Sequence, residues 1–149
     1  MIRINCVPVH ELSDAHLIAE YREIPRVVTL AAKAVARKSF FQPDCYTLGK
    51  GHLHFFYTRL GYLSGRHAAL IEELKQRVYT PMHSAIRRED FPSTPSKLWG
   101  SWQPSQRDLQ LGRQRIHRNR PATYTYNARA YSKPSMGEAI SHADVIASN

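Results

Sequence analysis

The sequence predicts an all-α fold: a compact single domain of three main helices joined by long ordered loops, with no sizeable sheet. Three observations carry that expectation. Apolar residues recur at three- and four-residue steps over two long stretches and one short one, the period of a helix with one buried face. No stretch alternates for long enough to supply the strands of a sheet. At 149 residues the chain is sized for one core, real but modest.

An extended arm from Arg3 to Val9 comes first. Ser13 then has the chemistry of a helix N-cap, with Asp14 in the first turn. Leu17, Tyr21, Ile24, Val28, Ala31 and Val35 trace the inner stripe of a helix expected from Asp14 to Lys38. Pro25 lies inside it, removes one backbone donor and predicts a kink near Tyr21. Phe40 to Gly51 is rich in turn residues. A second helix is expected from Tyr57 to Tyr79, with Leu60, Leu63, His67, Leu70, Ile71, Leu74 and Val78 inward and Pro81 as its stop. Arg59, Arg66, Glu72, Glu73, Lys75 and Arg77 are assigned to its wet side. Thr80 to Gln103 reads as an ordered loop held by Trp99 and Trp102, since indoles bury large areas. Ser105 can cap a third helix from Gln106 to Arg118, with Leu109, Gly112 and Ile116 inward. The segment from Pro121 to Tyr131 is short and aromatic, extended or irregular, and residues 132–149 carry no stripe and are expected to form a flexible tail.

The charge balance narrows the partners. The chain has 21 Lys and Arg against 12 Asp and Glu, and a pI near 9.9. That excess favours a polyanion, most simply nucleic acid. The stretch from Ser101 to Lys133 is the most basic, with Asp108 its one acid. The two cysteines, Cys6 and Cys45, form no CxxC and follow no secretory segment, so reduced thiols and a cytoplasmic location are expected. No apolar run is long enough to span a membrane.

Arg22, Glu23 and Arg26 form the most suggestive cluster. One reading is a surface ion pair of small energetic weight. The other is a site: a single carboxylate between arginines, with the chain's own amino terminus brought near by the arm. An α-amine titrates near about 7.7–8.0 against about 10.4 for lysine, so far more of it is neutral and nucleophilic at pH 7. Such an amine can attack C1′ of a deoxyribose, and the resulting iminium acidifies the C2′ proton for a carboxylate to remove. This chemistry needs no metal and no cofactor. His16 can be a half-exposed helix histidine or a phosphate or sugar contact. Tyr124, Tyr126 and Tyr131, interleaved with Arg118, Arg120 and Arg129, suit either an aromatic strap over the core or an unstacked nucleotide. His52 and His54 form an HxH without a third ligand at metal spacing. The glycines around Lys50 read as a turn rather than a phosphate loop.

The opening Met1, Arg3, Ile4 and Asn5, followed by the run from Glu11 to Val27, resembles the phage-type pyrimidine-dimer DNA glycosylases, also called the dimer-specific endonuclease V family. Gly49, Lys50, Gly51, His52, Phe55, Phe56 and Tyr57 resemble the family's second block, and Arg120, Pro121, Tyr124 and Tyr126 its aromatic block, so that the likeness covers about residues 1–131. The resemblance implies a three-helix fold and a bifunctional enzyme on double-stranded DNA that carries ultraviolet-induced cyclobutane pyrimidine dimers; a monomer is the simplest expectation for a lesion without two-fold symmetry. It would release the dimer's 5′ base and then nick the strand by β-elimination. Glu23 falls on the family's catalytic glutamate and Arg22 and Arg26 on its phosphate-gripping arginines. Arg3, His16 and Tyr21 also match, while Arg113 and Arg118 correspond loosely to basic residues of the third helix. Two departures stand out. The family's nucleophile is the α-amine of a threonine exposed by methionine removal, and Ile2 occupies that position. A bulky Ile2 hinders that processing and leaves the amine on Met1, roughly 3.5 Å further out. Thr123 and Asn127 replace aromatic residues of the last block. Besides the imine route, a glycosylase that uses Glu23 to activate water, on another modified base, and a non-catalytic binder of damaged or bent DNA therefore remain as alternatives.

Overall fold

The computed structural model describes residues 3–38 and 41–118. Among these residues the fold is helical, with a lone antiparallel bridge between Arg59 and Trp99 in place of any strand. Four helices follow in chain order: α1, Asp14–Ala36; α2, His52–Phe56; α3, Leu60–Gln76; and α4, Gln106–Arg118. The longest two, α1 and α3, pack on each other. Their facing stripes, Leu17, Ile24, Val28 and Ala31 against Leu60, Leu63, Leu70 and Leu74, are buried in one core. No described helix is long and apolar enough to cross a membrane.

α1 begins where its cap predicts: the Ser13 hydroxyl accepts from the His16 amide at 3.2 Å. It runs on through Pro25 and ends two residues earlier than expected, at Ala36, with Lys38 in the left-handed region at φ 54°.

The helix expected from Tyr57 to Tyr79 is α3, which starts at Leu60, and a short helix not expected from the sequence, α2, precedes it; the cause of the late start is long-range. The backbone around Thr58 crosses that of Trp99 and Gly100, and the Tyr62 amide donates to the Gly100 carbonyl at 3.2 Å. A Cβ on Gly61 would lie 2.8 Å from the carbonyl oxygens of both Trp99 and Gly100, and one on Gly100 would lie 2.6 Å from that of Thr58. Only paired glycines permit this approach. Gly51, at φ 88°, starts α2 from a left-handed turn. α3 stops at Gln76, short of Pro81, where Val78 adopts φ 69° and turns outward, so Val78 is exposed rather than part of the inner stripe.

The assignment of Arg66, Glu73 and Arg77 to the wet side of α3 is corrected: all three are buried. Arg77 has no exposed surface and pairs with Asp14 at 2.6 Å and Glu73 at 3.0 Å, while donating to the Leu12 carbonyl at 2.8 Å. Tyr79 adds a hydroxyl donor to Asp14 at 3.0 Å. Buried charges persist only with such partners.

The loop after α3 is ordered by its indoles. Trp102 stacks on Tyr46 and meets Phe55, Phe56 and Tyr62 edge-on, while Trp99 lies against Phe91. α4 opens with a reciprocal cap: the Asp108 amide donates to Ser105 Oγ at 3.2 Å and the Ser105 amide to Asp108 Oδ2 at 2.9 Å. Gly112 lets α4 close on the arm, since a Cβ there would meet Val7 at 3.3 Å and Cys6 at 3.4 Å.

Candidate active site

α1 presents Arg22, Glu23 and Arg26 together, as its periodicity requires. Both arginines are exposed; the Glu23 side chain keeps 25% of its surface in solvent. Arg26 Nη1 lies 3.4 Å from one Glu23 oxygen and 3.5 Å from the other. That long i, i+3 contact leaves the carboxylate accessible to a substrate. Beside Arg22 is an open depression of about 180 Å³, bordered by Ile18, Tyr21, Leu74, Met82 and His83.

Tyr21 is tied into the fold. Its hydroxyl accepts from the His83 amide at 2.9 Å and its ring stacks on His67 at 5.3 Å. His67 accepts from the Ile86 amide at Nδ1, 3.0 Å, so Nε2 carries the proton and donates to the Tyr21 carbonyl at 3.1 Å. Burial lowers the His67 pKa. Arg3 and His16 are half-buried. Arg113 makes a two-pronged pair with Glu11 at 2.9 and 2.8 Å, and these hydrogen bonds hold the Glu11 carboxyl below its ordinary range. Arg118 is exposed at the end of α4. Met1, Ile2, Tyr124, Tyr126 and the expected tail lie outside the described residues.

The arm is far more firmly held than its sequence suggests. Ile4, Asn5, Cys6 and Val7 are all buried. The Ile4 amide donates to His52 Nε2 at 2.9 Å and the Tyr46 hydroxyl to the Ile4 carbonyl at 3.2 Å. Glu20, buried on α1, accepts at Oε1 from the Asn5 amide at 3.2 Å and from Asn5 Nδ2 at 2.7 Å. Its other oxygen takes Arg66 Nε of α3 at 2.7 Å, and Arg66 also reaches the Val7 carbonyl. From α4, Arg115 donates to the Asn5 side-chain oxygen. His52 Nδ1 donates to the Thr47 carbonyl at 2.7 Å, so both its nitrogens serve the fold. Burial pushes the His52 pKa down to about 4, opposed by the Thr47 carbonyl and aided by the charges of Arg3 and Arg115. Burial likewise pushes the Cys6 thiol up to about 11, a protonated and unreactive form. His54, the other half of the HxH, contacts the Phe41 carbonyl at 2.6 Å.

The partnership of Glu20 with Arg66 and Asn5, and of Asn5 with Arg115, is not among the expectations the sequence supports. A signal existed. Glu20 sits at the inner-stripe position between Leu17 and Ile24, and Arg66 between Leu63 and Leu70. A charge on the buried stripe of each of two facing helices points to a partnership across the interface.

A helical scaffold that sets a part-exposed carboxylate between two exposed arginines, on a strongly basic chain, has the form of a protein that acts on a polyanionic backbone. Residues 1–87 match the family model described as pyrimidine dimer DNA glycosylase. That match spans more than half of the 149 residues, and the chain belongs to this family of DNA repair glycosylases acting on pyrimidine dimers. The matched segment contains the arm, α1, α2 and α3; α4 lies beyond it.

Proposed function

We propose that the protein is a bifunctional glycosylase and lyase on double-stranded DNA containing cyclobutane pyrimidine dimers, with the amino-terminal α-amine as nucleophile and Glu23 as acid and base. The neutral amine attacks C1′ of the damaged nucleotide and the bond from C1′ to the base breaks, the base leaving with its electron pair and taking up a proton. The attached nitrogen loses a proton, and its electron pair then forms the C1′=N bond as the C1′–O4′ bond breaks and O4′ takes up a proton; the resulting open-chain protonated imine acidifies C2′. Glu23 removes the C2′ proton, and the bond to the 3′ phosphate oxygen breaks. Arg3, Arg22 and Arg26 grip the phosphates, and Met1 or Ile2 supplies the amine according to processing. His16, Tyr21, Arg113, Arg118, Tyr124 and Tyr126 complete the DNA contacts, with Arg113 exchanging Glu11 for a phosphate.

One observation carries this reading: the arm is bonded at Asn5 to Glu20, one helical turn before Glu23. Glu23 lies about 4.5 Å further along the helix axis. The three Cα-to-Cα steps from Asn5 back to Ile2 span at most about 11 Å. A span of that length allows the start of the chain to reach the carboxylate, which supports this reading.

Borohydride reduction on a dimer-containing duplex tests it. The wild type is expected to give a covalent adduct, and Glu23→Gln to bind the duplex without cutting it. Intact-mass measurement identifies the residue that owns the amine. No adduct from the wild type rejects the imine route. Ile2 favours a second reading, in which Glu23 activates water; base release with the strand intact identifies that outcome.

A further inference from the structure

We infer that Glu20, held by Arg66, is a positioning residue that sets the register of the amino-terminal arm against Glu23. The inference rests on the imine reading above and goes beyond it, since neither side chain touches the reacting atoms.

The geometry is specific. Glu20 Oε1 takes both donors of Asn5, backbone and side chain, while Oε2 takes Arg66 at 2.7 Å. Arg66 returns to the arm two residues later at the Val7 carbonyl. One ion pair between α1 and α3 therefore clasps the arm at two points, and Arg115 of α4 closes the third side at the Asn5 side-chain oxygen. Backbone bonds alone would allow the arm to slide by a residue; bonds of the Asn5 side chain, from Nδ2 to Glu20 and to Oδ1 from Arg115, do not. Glu20 and Glu23 share one helix turn, so the carboxylate of the chemistry and the anchor of the nucleophile's segment move as one body. A well-packed apolar pair could fill the Glu20 and Arg66 sites with equal or greater stability, but would not select one register for Asn5.

The test separates positioning from folding. A duplex with a preformed abasic site bypasses lesion recognition, so that single-turnover borohydride trapping reports amine placement alone. Asn5→Ala leaves the Glu20–Arg66 pair and the backbone bonds intact and removes the side-chain bonds that fix the register, to Glu20 and from Arg115. It is expected to slow trapping by about tenfold or more, with unchanged affinity for the same duplex and a thermal transition above the assay temperature. Glu20→Gln is expected to do the same, with larger loss of stability, and Arg66→Lys to retain more trapping than Arg66→Ala. Trapping at the wild-type rate in Asn5→Ala overturns the positioning role and leaves the imine reading standing. So does a loss of trapping that only tracks loss of DNA affinity. No adduct from the wild type defeats the imine reading, and the positioning role falls with it.

Discussion

Glu20 and Glu23 stand one turn apart on α1, both within reach of arginine, and have opposite fates. Glu20 keeps 1% of its side-chain surface and is bonded to Arg66, 46 residues away in sequence. Glu23 keeps 25% and meets a local partner, Arg26, at 3.4 Å. The buried pair is satisfied on every side and has little freedom to respond to a ligand. The half-exposed pair is long, wet and weakly held, which leaves it able to exchange partners. The same residue types thus build the scaffold or the proposed site according to whether partners converge from other elements or only from the next turn.

The comparison is broken most strongly by stranding the buried acid. Arg66→Ala leaves Glu20 charged and unpaired, and should cost about 3–5 kcal/mol in denaturant unfolding. Glu23→Ala should change stability by only a few tenths of a kcal/mol, and equal losses from both variants would erase the distinction.

Acid should divide the two regions next. The His52 pKa is lowered from 6.5 to about 4, so the folded state holds the neutral ring and the unfolded chain binds more protons between those values. Stability from His52 is complete above pH 6.5 and drains as the pH falls toward 4, by about 3 kcal/mol at most. His67, also lowered, works in the same direction. Unfolding curves across that range should show the decline, and His52→Gln should flatten it. Protonation of His52 Nε2 would oppose the Ile4 amide, so the arm is the region expected to lose amide-exchange protection first.

The smallest structural effect is expected at the site's rim. Arg26→Ala should leave stability within about 0.5 kcal/mol, while lowering the salt dependence of DNA binding by about one phosphate contact. A salt slope that does not change would remove Arg26 from the phosphate grip.

Much of this organisation was legible in the sequence. The Ser13 cap, the stripe from Leu17 to Ala31 and the short helix opened by Ser105 all appear as expected, because capping and periodicity are local. So does the Arg22, Glu23 and Arg26 cluster, which needs only helix geometry. The separate α2 and the start of α3 at Leu60 rather than Tyr57 were not legible: α3 begins where Gly61 closely approaches Gly100, a chain segment far away in sequence. Val78 was expected inward because the stripe includes it, but the left-handed end of α3 turns it out. Arg66 and Arg77 were expected in water because charge usually sits there, and only their carboxylate partners on other elements reverse that preference.

By itself, then, the sequence determined the three longer helices and where the part-exposed acid sits between its arginines, since both follow from contacts within a turn or two. Tertiary structure alone decided which charges are buried and how the arm is anchored. A charge leaves water only where several distant groups meet to satisfy it, and that meeting is a property of the packed chain.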